Sequence, residues 1–188
     1  MTKSAILIVD IQRDFTGANA KMPVHPAQAA QMIANLNQLV SHVDHSWAEV
    51  IYIGNEYSKW NPLNVFRHFA AIKGTEGTQL DERLRVVTDV YFSKSQGDAF
   101  SNPALNAYLQ TAHVDKVFVS GLYAEACICA TVKGALRNRY RVYVLKDCIA
   151  TKSDAGRAKA VRQYERMGAK VVQSGELSGL LSPNAPSV

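Results

Sequence analysis

Apolar and polar positions along the chain follow two rhythms. Short, continuous runs of branched apolar residues mark strands covered on both faces, and longer stretches with apolar residues three and four apart mark helices. Residues 5–10, Ala-Ile-Leu-Ile-Val-Asp, are the first such run. Residues 26–48 follow as a helix, with Ile33, Leu36, Leu39, Val40 and Val43 at helical spacing. Residues 49–54 form a second strand ended by Gly54, whereas 55–78 keep neither rhythm and carry several aromatics. A short helix is expected over 80–84 and a third strand over 86–92. A helix over 102–112 comes next, with Pro103 as its start signal. It is followed by a strand over 116–121, a helix over 125–138, a strand over 141–146, a helix over 154–167 and a strand over 170–173. The Pro/Ser tail from Ser182 is expected to fray. No internal repeat and no linker interrupts the pattern, so the whole chain, 1–188, is expected to be one domain.

Alternation of strand and helix predicts an α/β fold with a parallel sheet and helices on both faces. In such sheets ligands sit beyond the carboxyl ends of the strands. The loops to search are therefore those after Asp10, Gly54, Phe92, Gly121 and Lys146.

Composition narrows the class. An apolar fraction of 47% is ordinary for a globular protein. No apolar run is long enough to cross a bilayer. The N-terminus has no cleavage pattern of a signal peptide, so a cytoplasmic location is expected. The formal charge of +5 and pI of about 9.1 would suit a nucleic-acid partner, but the basic residues are scattered. The densest group, residues 137–141, sits where a helix ends and its dipole favours cations. Neither nucleic acid nor membrane is expected as a partner; a small-molecule substrate is. The three cysteines, Cys127, Cys129 and Cys148, form no disulfide framework, and Cys-x-Cys without a second ligand pair is a weak zinc signal.

Candidate chemistry concentrates at strand ends. Cys127 falls in the first turn of the helix after the fourth strand, where unpaired N–H groups and the dipole favour thiolate over thiol and could hold an oxyanion. Position alone leaves two readings, a nucleophile and an inert buried thiol. Asp10 ends an apolar strand, where a carboxylate is costly unless paired or working. Near a thiol it could take the proton and return it to a leaving amine. Lys94 follows the third strand; by itself a lysine is a solvated charge, but beside Asp10 and Cys127 it would stabilise both anions.

Separated segments together resemble the isochorismatase-like cysteine hydrolases, a superfamily that includes nicotinamidases and N-carbamoylsarcosine amidase. Val9-Asp10-Ile11-Gln12-Arg13-Asp14-Phe15 is similar to the opening Val-Asp-x-Gln-x-Asp-Phe. Lys73-Gly74-Thr75-Glu76-Gly77, then Lys94 and Phe100, and Gly121 through Cys127 to Thr131, are similar to the later motifs. The resemblance implies a three-layer, Rossmann-like α/β/α sandwich over a six-stranded parallel sheet, assembled as a homodimer or homotetramer. It implies an Asp10–Lys94–Cys127 triad and a cis peptide at Leu122–Tyr123. The backbone N–H groups of Tyr123 and Cys127 would then hold the oxyanion. The activity implied is hydrolysis of a small amide, ureido or carbamoyl compound through a thioester.

The chain departs from the metal-dependent nicotinamidases after the second strand. Their Asp-x-His and further His are absent, and Gly54-Asn55-Glu56-Tyr57 stands there instead. No metal and no cofactor is therefore expected. Phe15, Gln12, Asn55, Tyr57, Trp60, Phe100 and Tyr123 are the expected substrate-binding residues, with Glu56 and Arg67 as further polar candidates. For each aromatic, packing in the core or between subunits is the competing reading. Two other functions compete. A vinyl-ether-cleaving isochorismatase would lack the cysteine, and a non-catalytic binding module would not need the triad.

Overall fold

The computed structural model describes residues 3–44 and 46–181. The first apolar run becomes β1 (Lys3–Val9), and its alternate residues enter different clusters. Ala5, Leu7 and Val9 pack on one side of the sheet, Ile6 and Ile8 on the other. Successive side chains of a strand point to opposite faces, so a strand covered twice must be apolar throughout. The remaining strands are β2 (Ala48–Asn55), β3 (Tyr91–Lys94), β4 (Val114–Leu122), β5 (Arg141–Ala150) and β6 (Lys170–Val172). All neighbours pair in parallel, in the order β3-β2-β1-β4-β5-β6.

Helices cover both faces, which gives the three-layer α/β sandwich. On the side of Leu7 lie α3 (Pro103–Thr111), α4 (Cys129–Arg137) and α5 (Asp154–Arg166), anchored by Leu105, Leu109, Val132 and Tyr164. On the side of Ile6 lie α2 (Pro26–Ser41), with Met32, Ile33 and Leu36, and α6 (Leu177–Leu181), with Leu177. A further short helix, α1 (Arg13–Thr16), inserts Phe15 into this second cluster.

Several boundaries differ from the sequence pattern. α2 stops at Ser41 instead of reaching residue 48, because Asp44 closes a turn by accepting from Ser46 N at 2.8 Å and Ser46 Oγ at 2.6 Å. No helix forms over 80–84. Leu80 bridges to Gln12, and the Asp81 carboxylate accepts from Arg83 N at 3.0 Å, which makes a side-chain turn. The third strand begins at Tyr91, not residue 86, because the preceding residues tie to β2 through side chains: Val87 N donates to Tyr52 Oη, and Thr88 Oγ1 to Val50 O. β5 continues past residue 146 to Ala150. The helix expected from residue 125 opens with a wide, π-type turn over Ala124–Ile128 and becomes α-helical at Cys129. The tail expected to fray from Ser182 lies outside the described residues.

The chain leaves β1 toward β2 and leaves β4 toward β5, so the strand order reverses between β1 and β4. That switch point is where the carboxyl ends open a crevice. Gly121 faces Val9 across it with φ +111°, and a Cβ there would stand 1.9 Å from Val9 O. Only glycine permits that approach.

Candidate active site

Asp10 follows β1 at the switch point with φ +61°, a left-handed conformation that costs energy for any residue with a Cβ. Its N–H donates to Ile53 O at 2.7 Å, which ties the turn to β2. Asn55 and Lys94 end β2 and β3, and the two are direct partners in the ladder. Register thus delivers an amide and an ammonium to one spot, next to the carboxylate.

Lys94 Nζ donates to Asp10 Oδ2 at 2.8 Å, to Asn55 Oδ1 at 2.8 Å and to Gln96 O at 3.1 Å. All three donor positions of the ammonium are filled. The Lys94 and Asp10 side chains are 0% and 1% exposed. Burial alone would lower the Lys94 pKa, but the neighbouring Asp10 and Cys127 charges outweigh it and hold the ammonium above the usual lysine range. Burial raises Asp10 above an ordinary carboxyl, against the opposing pull of Lys94. Asp10 Oδ1 is buried and has no oriented hydrogen-bond partner among the described residues.

Cys127 lies in the wide turn after β4, and Asn55 Nδ2 approaches its Sγ at 3.8 Å. The thiol and the Asp10 carboxyl interact as donor and acceptor, and each shifts the other. Here the expectation from helix position is corrected. Burial, then the Asp10 charge, push the Cys127 thiol up to about 12, and Lys94 and Asn55 pull it back only in part. A dipole at a helix end is a fractional charge; burial and a full anion next to the sulfur override it. Cys127 is therefore a thiol beside a base, not a standing thiolate. Cys129 and Cys148 are buried and unpaired.

The Leu122–Tyr123 peptide, at the end of β4, is cis. The Tyr123 ring meets Phe15 edge to face, centroids 5.8 Å apart, and its hydroxyl donates to Met22 O. Phe15 also lines a cavity of about 690 Å³, with Arg13, Thr16, Gly77, Asp81 and Arg83. Asp10, Lys94 and Cys127 do not line that cavity.

The other expected residues take several positions. Gln12 is fully buried, donates to Asn55 O at 3.0 Å and Thr78 O at 2.7 Å, and accepts from Asn55 N at 2.9 Å. Its amide is committed to backbone, so it fixes Asn55. Asn55 itself is bonded to both Lys94 and Cys127. Tyr57 is buried, with its hydroxyl pushed up to about 12 by burial and then by Cys127. Phe100 packs against Tyr140, centroids 5.6 Å apart. Trp60 is 82% exposed, with Lys59 Nζ 5.0 Å from its ring centroid. Glu56 accepts from the Tyr91 hydroxyl at 3.3 Å. One partner had no signal in the sequence: the Gln96 carbonyl that fills the third donor of Lys94.

Among the described residues no group of His, Cys, Asp and Glu side chains is arranged to hold a metal ion. The end of β2 holds Asn55, whose amide is already engaged on both sides.

Comparison with known proteins places this geometry in context. The isochorismatase domain model matches residues 4–176. The chain is 31% identical over 150 residues to the isochorismatase family protein YddQ of Bacillus subtilis, covering 79% of this chain and 78% of that protein. It superposes with a TM-score of 0.89 on an isochorismatase-like hydrolase from Alkaliphilus metalliredigens, 23% identical over 96% of this chain and 100% of that one. The N-carbamoylsarcosine amidase of Thermoplasma acidophilum superposes at 0.78, with 22% identity over 92% and 97% of the two chains.

Proposed function

The chain belongs to the isochorismatase family of hydrolases, and on that premise we propose that it cleaves a small amide, ureido or carbamoyl compound through a thioester on Cys127. One observation carries the reading. Lys94 holds Oδ2 of Asp10, Oδ1 is buried without an oriented hydrogen bond, and the carboxyl as a whole interacts with the Cys127 thiol. A carboxylate so arranged has one free acceptor, and the thiol is the acid it faces.

In the first step, Asp10 Oδ1 takes the thiol proton as Sγ attacks the amide carbonyl. Coupling is required because a thiol with a pKa near 12 supplies almost no thiolate at neutral pH. The carbonyl oxygen becomes an oxyanion, which we assign to the backbone N–H groups of Tyr123 and Cys127. When the C–N bond breaks, the nitrogen leaves with the proton held on Asp10. Water then gives a proton to Asp10 as it attacks the thioester. The acid departs, and that proton returns to sulfur. Lys94 keeps Asp10 oriented and balances its charge, and Asn55 ties Lys94 to the sulfur.

The amide class is supported by a solved neighbour that is an N-carbamoylsarcosine amidase. The test is an ammonia-release screen over small primary amides, ureido acids and carbamoyl compounds, with wild-type protein and Cys127→Ala side by side. Release that disappears in the variant supports the reading; release that persists in it removes Cys127 from the reaction.

Self-assembly into a dimer or tetramer, and a cytoplasmic location, belong to the same proposal. Trp60, Leu63, Val65, Phe66 and Phe69 are between 51% and 82% exposed on a single loop. Grouped exposed apolar side chains mark a contact surface. Light scattering that gives a monomer at micromolar concentration would remove the assembly.

A further inference from the structure

The irregular segment after β2 is a closed loop with a defined geometry. Tyr57 bridges to Ile72, Tyr57 N donates to Ala71 O at 2.8 Å, and Lys73 N to Tyr57 O at 2.9 Å. Inside the loop the buried Asn64 side chain donates to Ser58 O at 2.9 Å, and Phe69 N donates to Asn64 O at 2.8 Å. His68, Phe69 and Ala71 adopt φ of +48°, +54° and +52° without being glycines. Such conformations persist only where the surroundings impose them, and they gather at functional sites. Ala71 N is held by Asp14 Oδ2 at 2.8 Å, which ties the loop to the turn after Asp10.

This framework positions Arg67. Its guanidinium carbon lies 4.2 Å from the centroid of the Tyr57 ring. One terminal nitrogen, Nη1, is buried and has no hydrogen-bond partner, and no carboxylate among the described residues pairs with the group. Arg67 is half-buried as a whole, but a buried donor nitrogen without a partner is costly. Tyr57 follows Asn55, the last residue of β2, by two positions. Asn55 touches Cys127 and Lys94. Tyr57 therefore stands just past the end of β2, which carries Asn55, and bears the Arg67 guanidinium on its ring. The Tyr57 hydroxyl responds to the charges of Cys127, Lys94, Asp10 and Arg67 together. Lys94, the cation beside the sulfur, is already paired with Asp10.

We propose that Arg67 receives a carboxylate of the substrate, so that the compound hydrolysed is an amide that also carries a carboxylate. The inference rests on the amide-hydrolase reading and narrows it. A planar guanidinium fixed by stacking matches a carboxylate in geometry as well as charge. Hydrolysis of such a compound consumes water and yields a dicarboxylate and ammonium.

The test uses succinamate, glutaramate and adipamate against butyramide, the neutral relative of the first, with wild-type protein, Arg67→Gln and Arg67→Lys. Thermal melting confirms that each variant folds. In parallel, calorimetry measures binding of the three monoamides to Cys127→Ala, with and without Arg67→Gln. The expected result is a wild-type preference for one carboxylated amide over butyramide. That preference should fall about tenfold or more in Arg67→Gln, through KM, and be restored in part by lysine. Turnover with no preference for the carboxylated amides, or a loss in Arg67→Gln shared equally by butyramide, overturns the inference and leaves the amidase reading intact. Binding that depends on Arg67 without turnover of any amide supports Arg67 as the carboxylate's partner and overturns hydrolysis of the amide. Neither binding nor turnover overturns both.

Discussion

Asn55 presents its side-chain nitrogen to Cys127 Sγ at 3.8 Å while its oxygen accepts from Lys94 Nζ at 2.8 Å. One neutral amide thus connects the nucleophile to the cation that holds the base. Asn55→Ala removes both bonds and should lower kcat/KM on the order of tenfold to a hundredfold. Asn55→Asp should cost more, because it adds an anion beside a thiol already raised by Asp10. Steady-state kinetics on both variants check this order; equal rates in wild type and alanine would reduce Asn55 to packing.

The raised Cys127 thiol fixes how alkylation must behave. Iodoacetamide should modify Cys127, 9% exposed, before Cys129 and Cys148, which are 5% and 0% exposed, and burial also pushes the Cys148 thiol up. Modification should be slow at neutral pH and accelerate as pH rises toward 12. Asp10→Asn removes the second-largest cause of the shift, so Cys127 should react faster in that variant even though turnover is lost. Timed peptide mass mapping reads all three outcomes. Slower labelling in Asp10→Asn would contradict the assigned electrostatics.

The pH profile follows from Asp10. The base form is required, and burial holds the Asp10 carboxyl above its ordinary 3.8 while Lys94 pulls it down. Activity should fall as pH drops through that raised value. Lys94→Met removes the lowering influence, so the acid limb should move to higher pH and the remaining rate should be low. The limb belongs to the coupled group as a whole. A limb that stays in place in Lys94→Met would detach the lysine from the base.

Asp81 offers a test of stability. Burial opposes its ionisation, but hydrogen bonds from Arg83 and Thr16 win and hold the carboxyl down at about 2. A depressed folded-state value adds stability above the ordinary 3.8, and that gain fades as pH falls toward 2. Asp81→Asn should destabilise the fold by roughly 1 to 2 kcal/mol at neutral pH, allowing for the exposure of Arg83. Urea melts of wild type and variant should converge on acidification; a constant gap would exclude the charge as the cause.

The sheet was legible because its central strands are covered on both faces and so read as unbroken apolar runs. The same rule pointed to Asp10, a carboxylate where such a run ends, and to Cys127, just past β4. The loop over residues 55–78 was not legible. Pro62 and Gly74 mark two of its turns, but the bend between them is made by His68, Phe69 and Ala71 in left-handed backbone, where no glycine or proline stands. Residues 80–84 failed for a related reason: the Asp81 side chain closes a turn where apolar spacing suggested a helix. The direction of the Cys127 shift was also out of reach. A helix start is visible in a sequence, whereas how deeply a sulfur is buried and which anion stands beside it depend on tertiary packing.

The claim that Cys127 attacks while Asp10 carries the proton is tested most directly by ammonia release from Cys127→Ala, Asp10→Asn and the double variant, with circular dichroism to confirm folding. The account predicts that each single variant loses on the order of a thousandfold or more in turnover and that the double loses little beyond the worse single, because the two groups act as a unit. Turnover near the wild-type rate in Cys127→Ala, or losses that multiply in the double variant, would contradict it.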